Sequence, residues 1–160
     1  MARVLIAMGS NIDPERNLRE AVRRLAERCD VLATSPVYET APVGKTDQPN
    51  FLNAAVLIET GLDAGALKEQ VLRAIEQELG RVRTEDKNAP RTIDLDIVLY
   101  RGQVVDPDVR RYAHVAVPLA DLAPEVRDPE TGQTLATIAG ALPASGLHRR
   151  DDVALQLHQE

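Results

Sequence analysis

Pro90-Arg91-Thr92-Ile93-Asp94-Leu95-Asp96-Ile97-Val98-Leu99-Tyr100 is the stretch on which the fold reading turns. Side chains of a strand point alternately to its two faces. The alternation predicts a strand over 92–100, with Ile93, Leu95, Ile97 and Leu99 on the core face. Asp94 and Asp96 then share the other face, their Cα atoms about 6.5–7 Å apart by strand rise. Upstream, Gly80 stops a helix that Asp63 caps, with Leu67, Val71, Leu72, Ile75 and Leu79 as its apolar stripe. Before it lies a strand, Phe51 to Thr60, then a loop from Thr40 to Asn50. A β-branched strand from Val31 to Tyr38 is interrupted by Pro36. Asp13-Pro14-Glu15 starts another helix, Asp as cap and Pro at the first position. Its stripe is Leu18, Ala21, Val22, Leu25, Ala26 and Cys29. Val4 to Met8 is a buried strand leaving into Gly9-Ser10-Asn11. The order β-α-β-β-α-β predicts an α+β, ferredoxin-like sandwich: one antiparallel sheet with helices on one face.

Beyond Tyr100 the pattern is less regular. Val115 to Leu119 reads as a short strand or extended stretch, Leu119 to Leu122 as a helical turn, and Thr134 to Leu142 as a short apolar helix. The polar tail from His148 to Glu160 is expected to fray. At 160 residues one domain is expected, 1–160 with its core in 3–142. Apolar types make up 44%, which excludes wholesale disorder. No apolar run reaches the ~18–20 residues of a membrane span. The N-terminal stretch lacks the pattern of a signal peptide, and the single cysteine, Cys29, cannot form an internal disulfide. These features predict a cytoplasmic protein. Nineteen basic against 25 acidic residues leave a charge of −6, which argues against a nucleic-acid partner. Arg73, Arg81, Arg83, Lys87 and Arg91 nevertheless crowd together, which suits a small polyanion.

Three clusters carry chemistry. Asp94 and Asp96 repel each other unless they face open water or share a cation. Hard carboxylate oxygens select Mg²⁺ or Mn²⁺, with substrate phosphates completing the shell. Arg81, Arg83 and Arg91 lie in or beside the loop that feeds this strand, and guanidinium forks match phosphate oxygens. Acids beside arginines form the parts list of phosphoryl transfer; a Walker loop is missing. Third, Phe51 and Asn53 face the same way beside the Thr40-to-Gly44 loop, an aromatic plate next to an amide that suits a flat heterocycle. Each cluster also has a plain alternative: a solvated strand face, surface charges, or an ordinary core aromatic beside a strand-end amide.

Taken together, these residues resemble the 6-hydroxymethyl-7,8-dihydropterin pyrophosphokinase (HPPK) family of folate biosynthesis. The family signature is met in full by Lys87-Asn88-Ala89-Pro90-Arg91-Thr92-Ile93-Asp94-Leu95-Asp96-Ile97-Val98. Gly9-Ser10-Asn11, Tyr38 to Gly44, Gln48 to Asn53, Gly80-Arg81-Val82-Arg83 and Val117 to Pro124 follow in family order. The resemblance implies a transferase that moves pyrophosphate from ATP to the hydroxymethyl oxygen of 6-hydroxymethyl-7,8-dihydropterin and releases AMP. It implies two Mg²⁺ ions on Asp94 and Asp96. Arg81 and Arg91 would grip the triphosphate with Arg83 as helper, and Glu76 and Ile97 would border the nucleotide. Phe51 would stack on the pterin and Asn53 bond its edge, with Thr40, Pro42 and Val43 completing the slot.

Between Val104 and Val115 the chain is shorter than its relatives. His114 stands where a second stacking aromatic is usual, and Arg110 or Arg111 would replace phosphate contacts. The Arg81-to-Pro90 loop is expected to act as a lid. A monomer is expected, with ATP and the pterin as its partners. Two other readings stay open: a paralogue acting on a different pterin-like alcohol, and a non-catalytic module that binds nucleotide or pterin.

Overall fold

The computed structural model describes residues 1–42, 47–81 and 91–155. One antiparallel sheet organises them. β1 (Ala2–Ser10) is central, flanked by β4 (Phe51–Thr60) and β5 (Asp94–Tyr100). The far side of β4 pairs first with β2 (Asp30–Thr34) and then with β3 (Tyr38–Thr40); β6 (Gln103–Val104) extends β5. The expected βαββαβ frame is present. The strand expected over 31–38 is two strands, because Ser35-Pro36 leaves the ladder. Ser35 still holds β4, its N–H donating to Ala55 O at 2.9 Å and its Oγ accepting from Ala55 N at 2.8 Å.

α1 (Pro14–Arg28) begins at Pro14 as expected. Asp13 is its N-cap residue, but in a left-handed conformation (φ 42°) its side chain makes no cap bond. The Asp63 carboxylate does cap, accepting from Ala66 N at 2.7 Å. It opens α2 (Ala64–Ala66), which continues through a π-helical stretch, Leu67–Leu72, into α3 (Arg73–Glu78). Leu18, Val22, Leu25, Leu67, Leu72 and Ile75 pack on one face of the sheet against Val4, Ile6, Val56, Ile58 and Leu95.

Helices cover the other face as well, contrary to the one-face expectation. α4 (Ala113–Leu122) and α5 (Leu135–Ala141) bury Val115, Ala116, Leu119, Leu135 and Ile138 against Leu5, Ala55, Val98 and Leu99. So 115–119 is helical, not extended. The valines and Pro118 disfavour a helix locally, but burial of this apolar segment between β4 and α5 outweighs that preference. Leu99 also departs from the expected alternation. Ile6 pairs with Ile97 and Leu5 with Leu99, so Val98 is an extra bulged residue, and Val98 and Leu99 both join the second core.

The tail does not fray at its start. β7 (His148–Arg149) pairs with β3, and Val153 and Leu155 are 5% and 4% exposed in the first core.

Arg110 is held by Asp128, Nε donating to Oδ2 at 2.6 Å and Nη2 to Oδ1 at 3.1 Å. That pairing, with the Glu130 N–H also donating to the carboxylate, lowers the Asp128 carboxyl to about 2. An ordinary aspartate in the unfolded chain titrates near ~3.9. The pair's stabilisation is therefore complete above about pH 4 and is lost as pH falls toward about 2. Asp128→Asn is expected to lower stability at pH 7 and to flatten that acid limb in urea melts. An acid limb of unchanged depth in the variant would refute the assignment.

Candidate active site

The register of the sheet builds the site. Gly9 lies opposite Asn53 on one side and opposite Asp94 on the other, and Asn53 in turn lies opposite Tyr38. Tyr38, Asn53, Gly9 and Asp94 thus stand abreast on four strands. Two strand spacings put Asn53 and Asp94 about 9–10 Å apart. In the next row of this face Ala7 lies between Ala55 and Asp96. The floor stays low because its central residues are small. A Cβ on Gly9 would come to 3.4 Å from Asn53 Oδ1 and 3.9 Å from Phe51 Cδ1.

Over this floor opens a hollow of about 140 Å³. It brings together Thr40, Phe51, Asn53, Arg91, Asp94, Asp96 and His114, all expected from the sequence. The Asn53 amide donates to Thr40 Oγ1 at 2.9 Å and to Tyr38 O at 3.3 Å, leaving its oxygen on the Gly9 side. The Tyr38 hydroxyl donates to Asp121 of α4; burial, then that bond, pushes it up to about 12. His114 stacks on Tyr112, ring centroids 5.3 Å apart. Burial lowers its pKa, with Asp108 opposing and Arg91 adding, so the imidazole is neutral at pH 7.

Asp94 is gripped by two arginines. Arg81 Nη1 donates to Oδ1 at 2.6 Å and Arg91 Nη1 to Oδ2 at 3.0 Å. Burial and the Asp94 charge drive the Asp96 carboxyl upward, and Arg73, 3.6 Å from Oδ1, opposes the shift. Behind this pair lies Glu76, 2% exposed. Its Oε2 accepts from the Leu95 N–H at 2.9 Å, between the two aspartates, and from Arg73 Nη1 at 2.9 Å, with Arg81 Nη1 at 3.7 Å. Glu76 is therefore built into the support of the acid strand. A second hollow shares Asp96 and Asp106 with the first and is lined by Lys68, Arg73 and Ile97. Pro42 is buried beside Ala41, which lines the first hollow. Arg111 is exposed next to the site, whereas Arg110 is not brought to it, its guanidinium being engaged by Asp128 and Glu130. Arg83, Val43 and residues 82–90 of the expected Arg81-to-Pro90 lid lie outside the described residues.

Sequence reasoning left several participants without a role. Ser10 Oγ donates to Thr92 O at 2.5 Å. Asn11, 2% exposed, ties two loops together. Its Oδ1 accepts from Arg91 N at 2.8 Å, and its Nδ2 donates to Gln48 Oε1 at 2.6 Å and to Pro49 O at 3.1 Å. Asp106 and Asp108 also line the first hollow; Asp106-Pro107-Asp108 is a helix-start pattern that caps a 3₁₀ turn, Pro107–Arg110. Arg73 was legible only as one charge among many.

The donor set suits a hard divalent cation. Asp94 and Asp96 offer carboxylate oxygens, and no cluster of three His, Cys, Asp or Glu side chains able to hold a metal occurs among the described residues. Mg²⁺ commonly takes one or two carboxylates plus substrate phosphates. A cation between the acids would offset the burial and the Asp94 repulsion that together raise Asp96.

The sequence model described as 7,8-dihydro-6-hydroxymethylpterin-pyrophosphokinase (HPPK) matches residues 5–124. The 2-amino-4-hydroxy-6-hydroxymethyldihydropteridine pyrophosphokinase of Pseudomonas aeruginosa is 38% identical, covering 92% of this chain and 96% of that protein. The enzyme of the same description from Methylorubrum extorquens is 41% identical over 93% of this chain and 99% of its own length. The fold matches Plasmodium falciparum HPPK-DHPS with TM-score 0.67 at 12% identity, over 87% of this chain. The chain spans 43% of that longer structure. No helix among the described residues is long and apolar enough to cross a membrane.

Proposed function

Because the chain belongs to the 7,8-dihydro-6-hydroxymethylpterin-pyrophosphokinase family, we propose that the twin hollows are where it transfers pyrophosphate from ATP to 6-hydroxymethyl-7,8-dihydropterin, a step of folate biosynthesis. The observation that carries this reading is the row Asn53–Gly9–Asp94. It sets a slot for a flat heterocycle beside a carboxylate ledge on one face of the sheet.

The pterin would lie on the floor left open by Gly9, stacked on Phe51, its donor edge toward Asn53 Oδ1. His114, neutral and beside Tyr112, would cover the opposite side. The Thr40-to-Val43 backbone would close the end. ATP would occupy the second hollow, its base near Ile97 and its phosphates crossing toward Asp96. Asp94 and Asp96 would hold Mg²⁺, two ions in number, which neutralises and aligns the phosphates when bound. Arg81 and Arg91, now on Asp94, would turn to phosphate oxygens as these arrive, with Arg83 and Arg111 as additional cations. The hydroxymethyl oxygen would attack the β-phosphorus, the bond from that phosphorus to the α,β-bridging oxygen would break, AMP would leave, and the alcohol proton would pass to solvent. Positioning and fixed charge supply most of such an acceleration.

The expected result is release of AMP from ATP that requires both Mg²⁺ and the pterin alcohol. A panel of pterins differing at position 6 tests the choice of alcohol, on which His114, Asp106 and Asp108 bear as lining residues. Tight binding of both ligands with no AMP formed would leave a binding module in place of an enzyme.

A further inference from the structure

Of the described strands that flank the site, β3 is the shortest, three residues from Tyr38 to Thr40, and two of them hold Asn53. So short a strand owes its placement to what grips it from its faces and its outer edge. On one face Tyr38 is tied to Asp121 of α4. Glu39 points to the opposite face, and there it meets the C-terminal segment. Arg150 Nη1 donates to Glu39 Oε1 at 2.6 Å, and Asn50 Nδ2 donates to Glu39 Oε2 at 2.9 Å. The same guanidinium reaches Glu15 of α1 at 3.4 Å and forks onto Asp152 at 2.8 and 2.7 Å. The Arg150 N–H donates to Val37 O at 2.8 Å, while β7 covers the outer edge of β3. Val153 and Leu155 then anchor the segment in the core, and Arg19 Nε holds Ala154 O at 3.2 Å.

We propose that Arg150 is a positioning residue for the pterin slot: through Glu39 it fixes β3, and so the orientation in which Thr40 and the Tyr38 carbonyl hold the Asn53 amide. Arg150 lines neither hollow of the active site. Its effect therefore falls on the pterin and spares ATP, whose hollow is built from the other half of the sheet. This inference rests on the proposed pterin site.

The test compares Arg150→Ala, Arg150→Lys and Glu39→Gln with the unmodified chain. Pterin Kd is read from pterin fluorescence beside a non-hydrolysable ATP analogue, and KM for each substrate from AMP release. Arg150→Ala is expected to raise the pterin Kd and KM by about 2- to 30-fold, the range for coupling through a packed network. ATP KM stays within about twofold. Arg150→Lys recovers part of the loss, and Glu39→Gln reproduces it in a variant that keeps the side-chain volume. An unchanged pterin Kd in folded Arg150→Ala and Glu39→Gln, or an equal rise for both substrates, would overturn the proposal. Absence of pterin binding by the unmodified chain would instead overturn the functional reading beneath it.

Discussion

Asp94→Asn and Asp96→Asn are each expected to reduce AMP release by at least about 10²–10³-fold, the scale on which loss of one preorganised electrostatic partner is felt, while the fold survives. Both side chains face the open hollow, 17% and 39% exposed, and Asn keeps their volume. The two variants should nevertheless differ. Asp94 holds Arg81 and Arg91, so Asp94→Asn also loosens both guanidiniums. Among the described residues Arg73 is the one cation close to Asp96, at 3.6 Å. Asp96→Asn is therefore expected to act mainly through weakened Mg²⁺ dependence, read as a higher Mg²⁺ requirement. The measurements are kcat against Mg²⁺ concentration and a thermal melt of each variant. Full activity in either variant, with the melt unchanged, would sink the assignment of these acids to the cation.

Glu76→Ala should act on stability and catalysis together. The carboxylate is buried, with Arg73 on it, Arg81 close by, and the Leu95 N–H donating into it. Removing one member of a buried ion pair typically costs about 3–5 kcal/mol, because the remaining charge is left uncompensated. In a chain of this size that lowers Tm by roughly 6–20 °C. The loss would reach the chemistry through the backbone, since Leu95 sits between Asp94 and Asp96. Glu76→Gln keeps an acceptor for the Leu95 N–H and should recover part of the stability and less of the rate. A Glu76→Ala variant that melts like the unmodified chain would remove Glu76 from the support of the acid strand and return it to a nucleotide-edge role alone.

Much of the frame was legible residue by residue. Alternation from Ile93 to Ile97 placed both aspartates on one face. Pro14 started α1, the Asp63 side chain capped α2, and Gly80, at φ 87°, closed the helix before Arg81. Each of these is a short-range effect of sterics or capping, so neighbouring residues suffice to show it. The failures share a different cause. The 115–119 segment reads as extended from its valines and proline, yet folds as helix because an apolar sheet face was waiting for it. The polar tail hides Val153 and Leu155, two apolar residues too few to form a pattern. Arg110 resembled a phosphate contact until Asp128 claimed it.

By itself the sequence determined which residues could do chemistry: two acids at strand spacing, arginines beside them, an aromatic and an amide two residues apart. Their union was decided by inter-strand register, which sets Asn53, Gly9 and Asp94 side by side although more than forty positions separate their neighbours along the chain. Register follows from burying both faces of the sheet at once, a free energy summed over the whole core. The same sum decides that Glu76 lies under the acid strand and that Arg150 grips β3, contacts to which no local pattern corresponds.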